Sequence, residues 1–372
     1  MNINFIVYHD IKTEYRTQRI LSVLKKIGDV KFISYSDPSE LGHNNYLITG
    51  KGKRKYFSFL FETITYLIKN KKKDSIIVLH DNYCAPLLFF CKKFIKPYKI
   101  IYDSSEFFTY KNKQKSGNFL FRCVDDLLII CEKLFLKKAD IVIAANKERA
   151  MLMKQYFQLN RMPLIFENIH RINDKINYKE CDTKYSHLFE IKKFTLVYPG
   201  GILRDRLTKE LAVAVTNLGE EYRLLIAGNV DWSYYNEIIK ETNKNKNIVY
   251  VGFVSRAELK YLFFRGNVGV SFFDMDIPNN RFCASGKIYE CLFCGNPILT
   301  SINPPLNRLC KNHQIGLSID KQQIEKGILE LKNHYNDFRR NVLEYIKSVE
   351  PEMLEEELAK KLKQFIYKQD SK

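Results

Sequence analysis

Apolar positions along the chain switch between two periods. Short β-branched runs at 3–8 (INFIVY), 30–35 (VKFISY) and 75–79 (SIIVL) alternate with longer stretches, 13–26 and 56–68, in which apolar residues return every three or four positions. The alternation continues with a helical segment at 86–94, a strand at 99–103, a helix at 120–136, a strand at 140–145, a helix at 147–157 and a strand at 163–167. Strand followed by helix followed by strand is the grammar of a parallel sheet, because parallel neighbours need a crossover, which a helix supplies.

Residues 170–193 (HRINDKINYKECDTKYSHLFEIKK) interrupt this with polar and turn-forming residues and read as a linker. The grammar then restarts. Strands are expected at 194–199, 222–228, 247–252, 267–273 and 296–301, with helices at 207–218, 233–242, 256–264 and 286–294 between them. The tail from 322 to 367 is helical in pattern, broken at Pro351. The pattern predicts an α/β protein with two Rossmann-like, doubly wound domains facing an interdomain cleft: residues 1–169, a linker at 170–193, residues 194–345, and a last helix within 346–372 that packs back on the first domain. Open α/β sheets bind ligands beyond the carboxyl ends of their strands, so the functional residues are sought there.

Composition agrees with a folded globule: 372 residues, 45% of them hydrophobic and 13% aromatic, which is more chain than one core usually serves. The first ten residues read as a strand cut off by His9 and Asp10 and not as a signal peptide, and no apolar run approaches the twenty or so residues of a membrane span. Nine cysteines, an odd number without framework spacing, suit a reduced cytoplasmic setting. Cys291 and Cys294 form a lone C-x-x-C with no second pair at zinc-finger spacing, and are expected to be buried thiols.

The formal net charge of +18 is unevenly placed. Residues 1–200 carry 35 Lys/Arg against 20 Asp/Glu, and residues 201–372 carry 25 against 22, so the halves hold +15 and +3. Clusters at 51–55, 69–73, 92–99 and 111–115 recur between apolar segments, as on a surface meeting an anionic partner. Anionic lipid headgroups, a phosphate-bearing acceptor and nucleic acid would all be attracted, and lysine-rich loops without a partner account for the charge equally. Neither a groove-reading helix nor an aromatic RNA platform accompanies it, which disfavours nucleic acid.

Two stretches of the second domain carry the candidate chemistry. The first is a strand ending in Pro199-Gly200-Gly201 that leads through Arg206 into a helix. Paired glycines let backbone amides approach a phosphate, and the arginine fork can grip a diphosphate at two points. The second runs Ser285-Gly286-Lys287-Ile-Tyr-Glu290, ending at Gly295 and Pro297. Ser285 is expected to cap a helix whose first amides, at Gly286 and Lys287, face an anion. Glu290 lies one turn further on, and an acceptor-only carboxylate there suits ribose hydroxyls.

Taken together, Gly-Gly then Arg206, a GxV turn at Gly252-Phe-Val254, and K-x-x-E-x-x-x-x-G-x-P resemble the donor domain of glycosyltransferase family 4 enzymes of the GT-B fold. In the first half, Ile101-Tyr-Asp-Ser-Ser-Glu-Phe-Phe is similar to the YDsHE segment of polysaccharide-type members, and Ala139-Asp-Ile-Val-Ile-Ala-Ala-Asn to their next strand. The resemblance spans about residues 75–320. It implies transfer of a sugar from a nucleotide-diphosphate sugar to a glycan or lipid-linked acceptor, with retention of configuration, in cell-surface polysaccharide biosynthesis. It further implies Arg206 and Lys287 on the diphosphate as leaving-group stabilisers, Glu290 on the ribose, and backbone near Val254 on the base. No cofactor or metal is expected, and Asp274-Met-Asp276, which spells D-x-D, follows a strand where relatives hold no metal. A cytoplasmic enzyme is implied, one that the basic first domain could bring to the anionic inner face of the cell membrane.

Two positions depart from the family pattern. Phe282 stands eight residues before Glu290, where most members carry another glutamate, and Ser105 replaces the histidine of YDsHE. The loop 9–16 also lacks the usual glycine. On the acceptor side His9-Asp10, His80-Asp81 and Glu106 all follow strands, with Asp81 and Glu106 matching family positions best. Two rival readings remain: a sugar-nucleotide epimerase of similar fold, and a degenerate protein that binds nucleotide or glycan without turnover.

Overall fold

The computed structural model describes residues 1–12, 14–39, 42–50, 55–107, 119–283 and 285–367. The basic cluster at 111–115 and all of 51–55 except Lys55 lie outside the described residues. The chain divides into two compact units, Met1–Asn168 with Pro351–Lys372, and Ile169–Glu350.

In the first unit seven strands, β1 (Asn2–Val7), β2 (Asp29–Ser34), β3 (Tyr46–Ile48), β4 (Ile76–His80), β5 (Lys99–Ser104), β6 (Ile141–Ala144) and β7 (Leu164–Ile165), form one sheet in the order β3-β2-β1-β4-β5-β6-β7. Every pairing is parallel. Strands covered on both faces must be apolar throughout, and β4 is buried at each of its five residues. On one face Phe5, Phe32 and Val78 pack with the helix Tyr15–Lys25 and with Leu358, Leu362 and Ile366 of the last helix, Pro351–Tyr367. On the other, Ile6, Ile77 and Tyr102 pack under Phe59, Leu67 and Leu88 of later helices. The order of strands reverses between β1 and β4, so the loops after these two strands part and leave room for polar side chains at the sheet's carboxyl edge.

The second unit repeats the plan with β8 (Phe194–Pro199), β9 (Tyr222–Ala227), β10 (Ile248–Gly252), β11 (Val268–Ser271), β12 (Ile298–Ser301) and β13 (Gly316–Ile319), all parallel, in the order β10-β9-β8-β11-β12-β13. Its reversal falls between β8 and β11. Residues 170–193 are not a linker: they include a helix, Tyr178–Tyr185, capped by Asn177 and seated in this unit. The Tyr261 hydroxyl donates to Asp182 (2.6 Å) and the Tyr185 hydroxyl to Glu258 (2.9 Å). Two of its side chains, Cys181 and Tyr185, with Leu188 in the turn that follows, are enough to anchor it, too sparse a stripe to stand out among charged neighbours. Edge strand β3, strand β13 and the helices Pro278–Arg281 and Pro304–His313 are further elements that periodicity did not mark.

A buried acid locks one helix of the first unit to the sheet. Glu132, on the helix Phe119–Phe135, is fully buried and accepts a 2.8 Å hydrogen bond from the Tyr102 hydroxyl of β5. Burial, with Asp81 adding repulsion, pushes the Glu132 carboxyl up to about 8. A folded-state pKa raised above that of the unfolded chain gives stability that is fully present at low pH and lost as pH rises through 8. Glu132→Gln, which keeps the neutral form, is therefore expected to lose less stability than the parent between about pH 5 and 8, where the folded carboxyl is still protonated and the unfolded one is not. Thermal midpoints across that range check this.

Candidate functional site

The carboxyl edge of the second sheet is drawn together by glycines. After β8 the chain runs through Gly200 and Gly201, and the amide of Ile202 donates to the carbonyl of Asn229 beyond β9 (2.8 Å). A Cβ at Gly228 would stand 2.3 Å from the carbonyl oxygen of Gly200, and Gly228 has φ +153°, so this crossing admits glycine alone. Gly252, with φ +83°, turns the chain at the end of β10 and accepts from the Gly228 amide (2.9 Å). Val254, half-buried, follows in that turn, just before the capping box of Ser255 and Glu258 that starts the helix Arg256–Arg265.

Arg206 closes the short helical turn Arg204–Arg206 and sits at the reversal of strand order. Its guanidinium lies 4.7 Å from the ring centroid of Phe273, beyond β11, and 3.8 Å from Asp205. The Asp205 carbonyl accepts from the Asp274 amide (2.9 Å), stitching the two loops. Asp274 in turn accepts from the Asp276 amide (3.0 Å), so the D-x-D here builds a turn.

Ser285 precedes the helix Gly286–Leu292 at the capping position, but its hydroxyl does not cap an amide. The expected side-chain cap is therefore absent, and Gly286 and Lys287 open the helix without it. The backbone of Ser285 has the extended cap conformation. Lys287 keeps solvent exposure, while desolvation, countered by the pull of Glu290 and reinforced by the smaller repulsion of Arg206, holds its ammonium below the ordinary lysine range. Lys287 thus lies within electrostatic reach of both Arg206 and Glu290, the trio singled out from sequence.

Glu290 is buried, and its Oε1 is 2.9 Å from His170 Nε2 and 3.2 Å from Arg256 Nη2. Arg256 is also held by Asp174, 3.4 Å from its Nε. Sequence reasoning missed His170 and Arg256, because each reaches Glu290 from a distant part of the chain. Cys291 and Cys294 are both buried free thiols, with Cys291 Sγ against the carbonyls of Asn296 and Pro297.

The first unit carries its own polar cluster at the ends of β1, β4 and β5. Asp81, buried and just past β4, has φ 60° and ψ 177°, a conformation in which any side chain is strained by about 1–3 kcal/mol. Its carboxylate holds it there: Oδ1 accepts from the Ser105 amide (2.7 Å), and Oδ2 from the Ser105 hydroxyl (2.6 Å) and faces His9 Nε2 at 3.1 Å. Ser105, where the family resemblance places histidine, is thus a brace for Asp81.

His80 is buried beside it, its Nδ1 2.8 Å from Asp103 Oδ2 and its Nε2 3.2 Å from the Thr17 hydroxyl and 3.4 Å from Asp81. Burial alone would lower its pKa; Asp81, Asp103 and Glu14 overcome that and raise it to about 9. Burial likewise works to raise Asp81 and Asp103, but His80 and His9 on the one, and Arg16 and His80 on the other, keep both below the usual carboxylate range. Arg16 grips Asp103 with Nε and Nη2 and donates through Nη1 to the Phe166 carbonyl (2.7 Å) and to Asn168 (2.8 Å).

The sequence named Asp81 and Glu106 as acceptor-side groups. With its oxygens committed and its side chain only 2% exposed, Asp81 is built to orient His9, whose own side chain is 27% exposed. Glu106 is half-buried, and its backbone carbonyl accepts from the Ser104 hydroxyl (2.7 Å).

No family model matches the chain. It is 20% identical over 251 residues to the uncharacterized glycosyltransferase MJ1059 of Methanocaldococcus jannaschii, a match covering 63% of this chain and 61% of that protein. The matched segment thus spans about three fifths of that relative's length. Among solved structures, sucrose-phosphate synthase from Thermosynechococcus elongatus superposes with a TM-score of 0.74 at 14% identity, covering 98% of each chain. Anabaena HepE, solved in complex with UDP-glucose, gives 0.74 at 12%, covering 98% of this chain and all of HepE. WaaG, a glycosyltransferase involved in lipopolysaccharide biosynthesis, gives 0.67 at 11%, covering 99% and 100%. At these identities the likeness shows the fold: two parallel-sheet α/β domains of the GT-B kind. Among the described residues no helix is long and apolar enough to cross a membrane.

Proposed function

We propose that the protein is a glycosyltransferase that takes its sugar from a nucleoside-diphosphate sugar held at the carboxyl edge of the second sheet, and passes it to a glycan or lipid-linked acceptor. The observation that supports this reading is that Arg206 and the buried Glu290 both act electrostatically on the Lys287 ammonium, Arg206 following the strand at which the order reverses. Arg206 and Lys287 would meet the negative charge that grows on the departing diphosphate, an electrostatic role that needs no metal. Glycines 200 and 201 let the backbone come close to the phosphates, with Ser285 and Gly286 at the start of the neighbouring helix. Glu290, steadied by His170 and Arg256, accepts from the ribose hydroxyls with its remaining lone pairs, and the turn at Val254 flanks the base.

In the first unit His9 is the more accessible member of the His9–Asp81 pair and would bind the acceptor hydroxyl. Retention of configuration and a role in building surface polysaccharide belong to this reading through the family resemblance. HepE, bound to UDP-glucose, makes uridine diphosphate sugars the first donors to try.

Release of nucleoside diphosphate from a panel of nucleotide sugars, with and without glycan or lipid-linked acceptors, tests the reading. A transferase releases it quickly only when acceptor is present; an epimerase changes the sugar nucleotide with none. Isothermal calorimetry of the preferred diphosphate against Glu290→Ala is expected to show a loss of about 1.5–3 kcal/mol, the worth of hydrogen bonds to a charged group. Unchanged affinity would remove Glu290 from the donor site.

A further inference from the structure

We propose that the outer surface of one helical layer of the first unit docks on an anionic lipid bilayer. The proposal stands apart from the glycosyl-transfer reading, since it rests on a helical layer of the first unit and not on the carboxyl edge of either sheet. Three helical segments cover the same side of the first sheet: Lys55–Lys69, the pair Ala85–Phe90 and Cys91–Ile95, and Phe119–Phe135. Phe59, Thr63 and Leu67 of the first point into the core, yet Phe57, Phe61 and Ile68, on the opposite side of the helix, are 59%, 71% and 57% exposed. The third repeats this, with Leu128 buried and Leu127, Ile130 and Leu134 more than half exposed. A water-facing helix ordinarily carries polar residues on such a stripe.

The middle segment makes the surface continuous. Phe89 packs against Phe135 at 5.1 Å between ring centroids, and Lys71 donates to the Phe94 carbonyl (2.7 Å). Phe89 and Phe94 are themselves exposed. Around these apolar groups stand lysines: Lys69 at the end of the first helix, Lys71, Lys72 and Lys73 after it, Lys92 and Lys93 on the second segment and Lys96 just past it, all exposed. The Lys93 ammonium lies over both the Phe89 and Phe94 rings, at 5.4 and 5.3 Å. Among the described residues of this layer acids are few: Asp74 and Asp125 are exposed, Asp126 is half-buried, Glu62 is half-buried against Ser58 and Asp140 is paired to Lys92.

Charge complementarity selects the occupant. A basic surface without apolar stripes suits a soluble polyanion, and apolar stripes without lysines suit a second protein. Apolar side chains interleaved with lysines suit an interface where headgroups are negative and acyl chains begin a few ångströms below.

Co-sedimentation of the full chain with phosphatidylcholine vesicles, with and without a third of phosphatidylglycerol, at about 0.15 M salt tests this. Binding is expected to be at least about tenfold tighter to the anionic vesicles. Phe57→Ser with Phe61→Ser should weaken it about tenfold or more, and Lys72→Glu with Lys73→Glu by a similar factor. All four positions are exposed, so circular dichroism and thermal midpoints should match the parent. Equal binding to both vesicle types would overturn the proposal, as would unchanged binding by the phenylalanine pair. So would a homodimer in light scattering that the phenylalanine pair dissolves, or binding to a nucleic-acid oligomer as tight as to anionic vesicles.

Discussion

Replacing Lys287 by alanine is expected to lower turnover of the preferred nucleotide sugar by roughly 100- to 1000-fold, as the loss of one preorganised group facing developing charge does elsewhere. The effect should fall mainly on kcat, because the diphosphate gains charge as the glycosidic bond lengthens and the ammonium meets more of it then than in the ground state. Arg206→Ala should behave alike. Arg206→Lys should recover only part of the loss, since an ammonium cannot reproduce the two-point grip of a guanidinium. The surroundings of Lys287 add a check: desolvation and Arg206 already hold its ammonium below the ordinary lysine range, so a bound diphosphate should bring that pKa back up. Nitrogen-15 NMR of the labelled lysines with and without nucleoside diphosphate would read that rise. A variant that loses substrate affinity alone, with kcat intact, would mean that Lys287 binds the donor without assisting departure.

The second large effect is on stability. Arg16→Ala should destabilise the protein by about 3–5 kcal/mol, because it removes one partner of a fully buried ion pair and leaves Asp103 with His80 alone. The same guanidinium holds the carbonyl of Phe166 and the side chain of Asn168, so the chain's exit from the first unit loosens with it. Arg16→Lys should restore little, for one ammonium cannot satisfy Asp103, Phe166 and Asn168 together. Chemical denaturation measures this, and a loss under 1 kcal/mol would show that His80 suffices to hold Asp103.

Much of this molecule could be read from the order of its residues, for definite reasons. Strands buried on both faces, such as β4 and β9, leave unbroken apolar runs, and the crossovers between them follow from parallel pairing. The three-residue spacing of Lys287 and Glu290 places them on neighbouring turns of one short helix, and Gly295, with φ +83°, ends that segment as its residue type suggested. What stayed hidden depends on distance along the chain. Glu290 meets His170 across 120 positions, Arg16 meets Asp103 across 87 and His9 meets Asp81 across 72, and no local pattern records such meetings. Local chemistry misled once, at Ser285, where a good capping residue occupies the cap but does not use its hydroxyl. The helix at 178–185 leaves no visible period, because only Cys181 and Tyr185 anchor it among charged neighbours.

Ser105 shows how a departure from a family pattern can be structural. In place of a histidine it gives Asp81 both an amide and a hydroxyl, and Asp81 in turn aligns His9. His9 thus stands at the sheet's carboxyl edge from the loop after β1, while the loop after β5 carries Ser105. His9→Ala should therefore slow transfer to acceptor more than it weakens donor binding, and Ser105→Ala should do the same more mildly.

The most direct test of the whole account is a crystal structure with the nucleoside diphosphate that binds tightest. Its phosphates are expected beside Arg206 and Lys287, over Gly200 and Gly201, with ribose hydroxyls on Glu290 and the base at Val254. A diphosphate bound elsewhere on the chain, or one at this edge with Lys287 and Glu290 turned away from it, would contradict it.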